Sequence, residues 1–299
     1  MKRSGAAEAQ RRAAEGLFLS SALRLCASAA AFLCLGCGSY SPLDSHFNRG
    51  VEYYDQGRMA EAIREYRLAL EDVPSHLRAR YNLAVCFHDQ GKLGEAAAEY
   101  EKVLEAAPEN ARALVSLASI RIEQGKDAEG LALLGRATEA DASSGFPRSS
   151  LGAYYERKGD LDVALRAYRE SVDVEPAHAA GHAGIARVLL RRGETDGAVA
   201  ALDAALAAEP DDVATLLASS EAREKRGDPK GATLHLERAL VHVRDRAALW
   251  IRLAALYEKL DRLEDAVAAL WQARAVEKTN AYVGPRLRAL YARLAERER

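Results

Sequence analysis

The 34 residues from Leu43 to His76, LDSHFNRGVEYYDQGRMAEAIREYRLALEDVPSH, decide the fold, because the chain goes on repeating them. Sliding the segment by its own length carries Gly57 onto Gly91, Gly125, Gly159, Gly193, Gly227 and finally Asp261. Ala62 falls on Ala96, Gly130, Ala164, Ala198, Ala232 and Ala266. A third column, headed by Arg49, reads Leu83, Leu117, Leu151, Ile185, Ser219, Leu253 and Leu287. Pro74, Pro108, Pro176 and Pro210 share a fourth, interrupted by Ala142, Arg244 and Lys278. Seven copies fill residues 43–76, 77–110, 111–144, 145–178, 179–212, 213–246 and 247–280 without an insertion. A fixed period of this size marks a solenoid, whose units bury their apolar faces only by stacking.

Each column has a physical task. A glycine in the left-handed conformation ends the first helix of a copy and turns the chain into the second. The proline cannot continue that second helix and closes the copy. Small residues at Gly50, Ala84, Ala118, Gly152, Ala186, Ser220 and Ala254, and in the Ala62 column, let two antiparallel helices cross closely. Tyr66, Tyr100, Leu134, Tyr168, Leu202, Leu236 and Leu270 are expected to fill the space between stacked pairs. Composition agrees: 49% hydrophobic but only 6% aromatic residues, with eight prolines in 299 residues, favours helices over sheets.

The seventh copy, Trp250-x-x-Leu253-Ala254-x-x-Tyr257 followed by Ala266 and Ala273, resembles the tetratricopeptide repeat, as do the spacing and the closing prolines. The resemblance implies an all-α, right-handed α-solenoid of seven helix–turn–helix repeats that binds proteins and catalyses nothing. Past Asn280, residues 281–299 form a capping helix with Val283, Leu287, Leu290, Tyr291 and Leu294 on one face. Its Arg286, Arg288, Arg293, Glu296 and Arg297 are expected to form a solvated face. At the other end, His46 and Arg49 stand at usually apolar positions, as a solvated terminus requires.

In this family the first helices line the concave face, where ligands lie. Those positions map onto Phe47, Val51 and Tyr54, onto Tyr81, Val85 and His88, and onto Val115, Ser119 and Ile122. Clustered apolar side chains there imply a groove for an apolar peptide or partner helix. The carboxylate-gripping chaperone subset places basic and amide residues at sites that here are apolar, which disfavours that activity. Glu221, Glu224 and Glu258 make the back half of the same face acidic, suited to a basic segment. Ser219, Ser220 and Arg223 weaken copy six, which reads either as a flexible seam or as a second contact.

Ahead of the repeats, Lys2, Arg3, Arg11, Arg12 and Arg24 precede the uncharged run LCASAAAFLCLG, Leu25–Gly36. That is the layout of a secretory signal, and twelve apolar residues fall short of the roughly 20 needed to span a bilayer. Leu35-Gly36-Cys37 resembles the bacterial lipobox, although Cys34 stands where that family places an aliphatic residue. The resemblance implies a signal over 1–36, a lipid on Cys37, a linker over 37–42, and an outer-membrane protein facing the periplasm, since Gly38 is not the aspartate of inner-membrane retention. Ordinary cleavage, an uncleaved anchor and a cytosolic protein are the alternatives. A Cys34/Cys37 redox or metal motif is disfavoured, because Cys34 falls in the segment to be removed.

A net charge of −2 with interspersed signs gives no reason to expect nucleic acid. His46, His76, His88, His178, His182, His235 and His242 are scattered, and His178 and His182, four apart, lack a third ligand and read as surface residues. Cys86 reads as core. No stretch remains for a catalytic domain, so no cofactor, metal or small-molecule substrate is expected. The reading is a membrane-anchored envelope scaffold assisting assembly of a pilus or secretion complex. Alternatives are an accessory subunit positioning an envelope enzyme and a soluble cytoplasmic co-chaperone.

Overall fold

A computed structural model describes residues 42–297, so the signal, Cys34 and Cys37 lie outside the described residues. Among those described there are fifteen helices and no strand. They form two compact units whose boundary falls between Cys86 and Phe87.

The first unit contains α1 (Pro42–Asp55), α2 (Met59–Asp72) and most of α3 (Leu77–Asp89). Tyr66 is buried between the helices, with its hydroxyl accepting from Asn82 Nδ2 at 3.3 Å. Burial pushes the phenol up to about 12. Gly50 makes room for this ring: a Cβ there would come within 2.5 Å of Tyr66 Cε1. Arg49 is exposed and His46 half-buried, as a solvated end requires, but both also carry a contact. His46 Nδ1 donates to the buried Glu65 carboxylate at 2.6 Å, Arg49 reaches the same oxygen at 3.1 Å, and Arg64 the other at 3.4 Å. Burial raises the Glu65 pKa, but the hydrogen bonds from His46 and Arg64 and the charge of Arg49 outweigh it and leave it below the ordinary value. The polar residues on α1 are there to neutralise a buried carboxylate on α2.

The second unit begins within α3 and continues through α4 (Leu93–Ala106), α5 (Ala111–Glu123), α6 (Asp127–Ala140), α7 (Phe146–Lys158), α8 (Leu161–Val174) and α9 (Ala179–Arg192). Then follow α10 (Thr195–Ala208), α11 (Val213–Lys225), α12 (Pro229–His242), α13 (Ala247–Lys259), α14 (Leu263–Val276) and α15 (Val283–Arg297). From α5 onward, each odd-numbered helix packs antiparallel on the next even one, and that one on the first helix of the following copy. Tyr100, Leu134, Tyr168, Leu202, Leu236 and Leu270 are all buried between them, as the column required.

The turn column works as its chemistry dictates. At Gly125, φ is +77°, its N–H donates to the Ile122 carbonyl at 2.9 Å, and that of Lys126 donates to Arg121 at 2.8 Å. This pair of bonds satisfies the orphan carbonyls at the helix end. Asp261 takes the same left-handed conformation without being glycine, at φ +61°.

The capping helix departs from expectation. Val283, Leu287 and Leu290 are buried, but Tyr291 is half exposed. Arg286 grips the Glu258 carboxylate with two hydrogen bonds of 2.8 and 2.6 Å, Arg293 adds a third at 3.2 Å, and Arg297 pairs with Asp261. Arg286 and Arg293, though still partly in water as expected, therefore fasten α15 to α13, and Arg297 ties it to the turn that follows α13. Among the described residues no helix is long and apolar enough to cross a membrane.

Candidate functional site

In the second unit the first helices of copies three, four and five lie side by side, α5 against α7 and α7 against α9. Their adjoining faces carry Ser119, Ser150, Ala153, Ala180 and Ala183, and such small side chains leave space. One depression of about 550 Å³ is lined by Ser119, Ser150, Ala153, Glu156, Arg157, Arg187 and Arg191. Another, of about 440 Å³, runs from Phe146 over Ser150, Ala153, Ala183 and Arg187 to Glu209, Asp212 and Thr215. They share Ser150, Ala153 and Arg187, and so form one trough.

Its electrostatics are polarised along its length. Glu156 accepts from the Tyr168 hydroxyl at 2.7 Å and from Arg187 at 3.0 Å, while Arg191 donates to the Glu156 carbonyl at 3.2 Å. Burial first, and then the bond to Glu156, lift the Tyr168 phenol far above its ordinary value, so it stays a donor. Three arginines against one carboxylate leave the end over copies three to five cationic. At the other end Glu209 and Asp212 are acidic, although Asp212 also caps α11 through the Thr215 N–H at 2.7 Å.

The residues expected to line a groove fare differently. In the first unit Phe47 is buried, stacked on His76 with centroids 5.0 Å apart and covered by the Arg78 guanidinium, and so presents no open surface. Val51, Tyr54, Tyr81 and Val85 are half-buried. In the second unit Val115 is buried in a cluster with Leu114, Ala118 and Leu134. Ile122 is half-buried over Gly130, His88 pairs with Glu123 at 3.4 Å, and Ser119 lines the trough. Of the nine, Ser119 alone belongs to the trough, because small residues and not large ones open it.

The acidic back half is neutralised in place. Glu224 receives Arg252 at 3.1 Å and Lys259 at 2.7 Å, Glu258 is held by α15, and Glu221 pairs with Lys225 at 2.8 Å. Glu156, Glu224 and Glu258 occupy one column of the repeat, and the last two meet cations 28 and 35 residues onward. That spacing is a signal present in the sequence and missed there. In copy six the residues read as a weak point are not an open contact surface. Ser219 and Ser220 are fully buried, and Arg223 bonds Ser219 Oγ at 2.7 Å and Asp203 at 2.7 and 2.9 Å.

His178 is not a surface residue either. Its Nε2 lies 2.8 Å from Ser149 Oγ and its Nδ1 3.5 Å from Glu175. The order serine, histidine, carboxylate invites comparison with a hydrolytic triad. However, the buried Ser149 donates its proton to the Phe146 carbonyl at 3.0 Å, leaving Nε2 to donate to Oγ, the reverse of proton abstraction. Among the described residues no three His, Cys, Asp or Glu side chains gather to hold a metal.

Two family profiles, both described as tetratricopeptide repeat, match this chain, one over residues 47–111 and the other over 87–145 and 157–219. Together they cover more than half of it. No curated protein matches. Among solved structures, the C-terminal part of a repeat protein from Cytophaga hutchinsonii aligns with 79% of this chain and 97% of its own, at TM-score 0.52 and 16% identity. PilF of Pseudomonas aeruginosa aligns over 66% of this chain and 90% of its own, at 0.52 and 22%. The APC/C hetero-tetramer Cut9–Hcn1 covers 85% of this chain at 0.58 and 14%, with this chain spanning half of that one. At such identities the likeness is one of fold.

Proposed function

The chain belongs to the tetratricopeptide repeat family, whose units serve protein–protein interaction, and from that premise we propose a non-catalytic scaffold that holds an extended partner segment in the trough over Ser150, Ala153 and Arg187. The observation that carries this is the continuity of the two depressions across copies three to six. A floor of serine and alanine lets a partner backbone approach closely, and Arg157, Arg187 and Arg191 favour acidic side chains at that end. Ala183→Trp fills the trough from α9. Partner capture is expected to fall while helical content stays the same, and undiminished capture refutes the assignment.

The same reading places the scaffold in a bacterial envelope, held by a lipid on Cys37. Its support is the charged region, the twelve apolar residues and the Gly36–Cys37 step. Each buried methylene contributes ~0.8 kcal/mol, so several acyl chains give a stable anchor without attraction between headgroups and protein charge. Assistance in assembling a pilus or secretion complex is the finer form of this proposal. An accessory subunit for an envelope enzyme and a soluble co-chaperone are its competitors. Cys37→Ser is expected to abolish palmitate labelling, and labelling that persists removes the anchor.

A further inference from the structure

At the far end of the second unit, a separate groove of about 350 Å³ opens between α14 and α15. Its walls are aromatic and basic: Trp271 and Tyr291, each about half exposed, with Arg274, Lys278 and Arg288 around them. The indole Nε1 donates to the Tyr291 hydroxyl at 3.1 Å, which fixes the two rings relative to each other, and the Arg274 guanidinium stacks 5.1 Å from the Trp271 centroid. Most arginines of this region have carboxylate partners, including Arg286, Arg293 and Arg297 on the same helix. Among the described residues Arg274, Lys278 and Arg288 make no ion pair, and the neighbouring Glu277 is tied to Asn280 at 2.9 Å. Gly284 leaves the groove open on one side, since a Cβ there would meet nothing within 4 Å.

Exposed aromatic surface ringed by uncompensated cations is the inverse of most of this surface, where charges are paired. Burying Trp271 and Tyr291 favours an apolar or aromatic anchor, and three free cations with no opposing carboxylate favour acid on either side of it. We propose that this groove is a second docking site, distinct from the trough, for an acidic protein segment carrying one aromatic anchor. The volume lies near the lower end of the ~300–1,000 Å³ usual for ligand sites, which suits one side chain and not a helix. Charge complementarity selects the flanks, and the ring pair selects the anchor.

The test uses the full chain and a fluorescein-labelled synthetic peptide of glutamates flanking one phenylalanine, read by anisotropy at low salt. The unaltered protein is expected to bind it. Arg274→Glu with Arg288→Glu, and separately Gly284→Leu, should each weaken binding by about tenfold or more, equivalent to ~1.4 kcal/mol. Both act on exposed or open positions, and unchanged circular dichroism checks the fold. Replacing the peptide's phenylalanine by alanine should weaken binding too. No binding to the unaltered chain, or binding indifferent to both variants, overturns the site. Equal weakening by Arg166→Glu, an exposed residue on α8, would reduce it to general attraction. A single-stranded oligonucleotide of equal charge that binds as tightly would overturn the protein-segment assignment.

Discussion

Gly184→Ala should destabilise this protein even though alanine is the better helix former. Position 184 lies in the middle of α9, where replacing glycine by alanine gains ~0.8–1.0 kcal/mol from propensity alone. Here, however, the added Cβ would overlap Cε1 and Cδ1 of Tyr168 and come within 2.5 Å of Cζ. The ring cannot yield. It is 1% exposed, Gly152 already abuts the same edge, where a Cβ would be 2.7 Å from Cδ1, and Glu156 and Arg187 hold the hydroxyl at 2.7 and 2.9 Å. Overpacking of this kind costs typically 1–3 kcal/mol, and three overlapped atoms of a pinned ring place it at about 3. The net loss is then about 2 kcal/mol. One copy later the same two positions hold Leu202 and Ala218 in one apolar cluster. In a Tyr168→Leu background, therefore, Gly184→Ala should stabilise by about 1 kcal/mol, a coupling of about 3. Urea titrations of the four proteins, followed by circular dichroism, measure both signs. Stabilisation by Gly184→Ala in the unaltered background would refute the account of how α7, α8 and α9 interlock.

Glu258→Gln should loosen α15 by about 1–2 kcal/mol, a charge-assisted grip discounted because Arg286 and Arg293 are half in water. Amide exchange across residues 283–297 should quicken by about tenfold, and unchanged exchange would show that apolar packing alone holds the cap. His235 Nδ1 is buried without a hydrogen-bond partner, and burial, with the charge of Arg223 next, holds its pKa below 6.5, while Asp203 and Asp228 oppose and Arg238 assists. The folded state thus binds fewer protons than the unfolded, and stability, full above the unfolded value of about 6.5, is lost as pH falls through it. His235→Gln should flatten that fall in urea midpoints between about pH 7 and about pH 5, and an equal fall in both proteins removes His235 as its source. Gly125→Ala, with open space around it but φ at +77°, should cost about 1–2 kcal/mol, and a smaller effect on the melting transition would show that the turn relaxes.

The parts that were legible in the sequence are those fixed by local chemistry and repetition. Six column glycines and Asp261 all take positive φ, and the column from Tyr66 to Leu270 is buried throughout. Such features recur seven times, so tertiary context cannot easily disguise them. Less legible was which residues on the first helix of a copy face open space. Phe47 and Val115 look available on a helical projection, yet ring stacking on His76 covers one and a neighbouring cluster covers the other. Charges misled for a related reason. Glu224 and Glu258 read as an acidic face until their partners, 28 and 35 residues away, are placed beside them. The trough was invisible because alanine and serine signal close packing and open space equally well.

The most direct test of the scaffold account is site-specific photocrosslinking in cells. A photoreactive residue at Ser150 or Ala183, in the trough, is compared with one at Ala132 or Arg166, exposed on second helices of copies three and four. The account predicts one shared partner, identified by mass spectrometry, crosslinked from both trough positions and from neither outer one. Crosslinks that arise equally from all four positions, or from the outer pair alone, would contradict it.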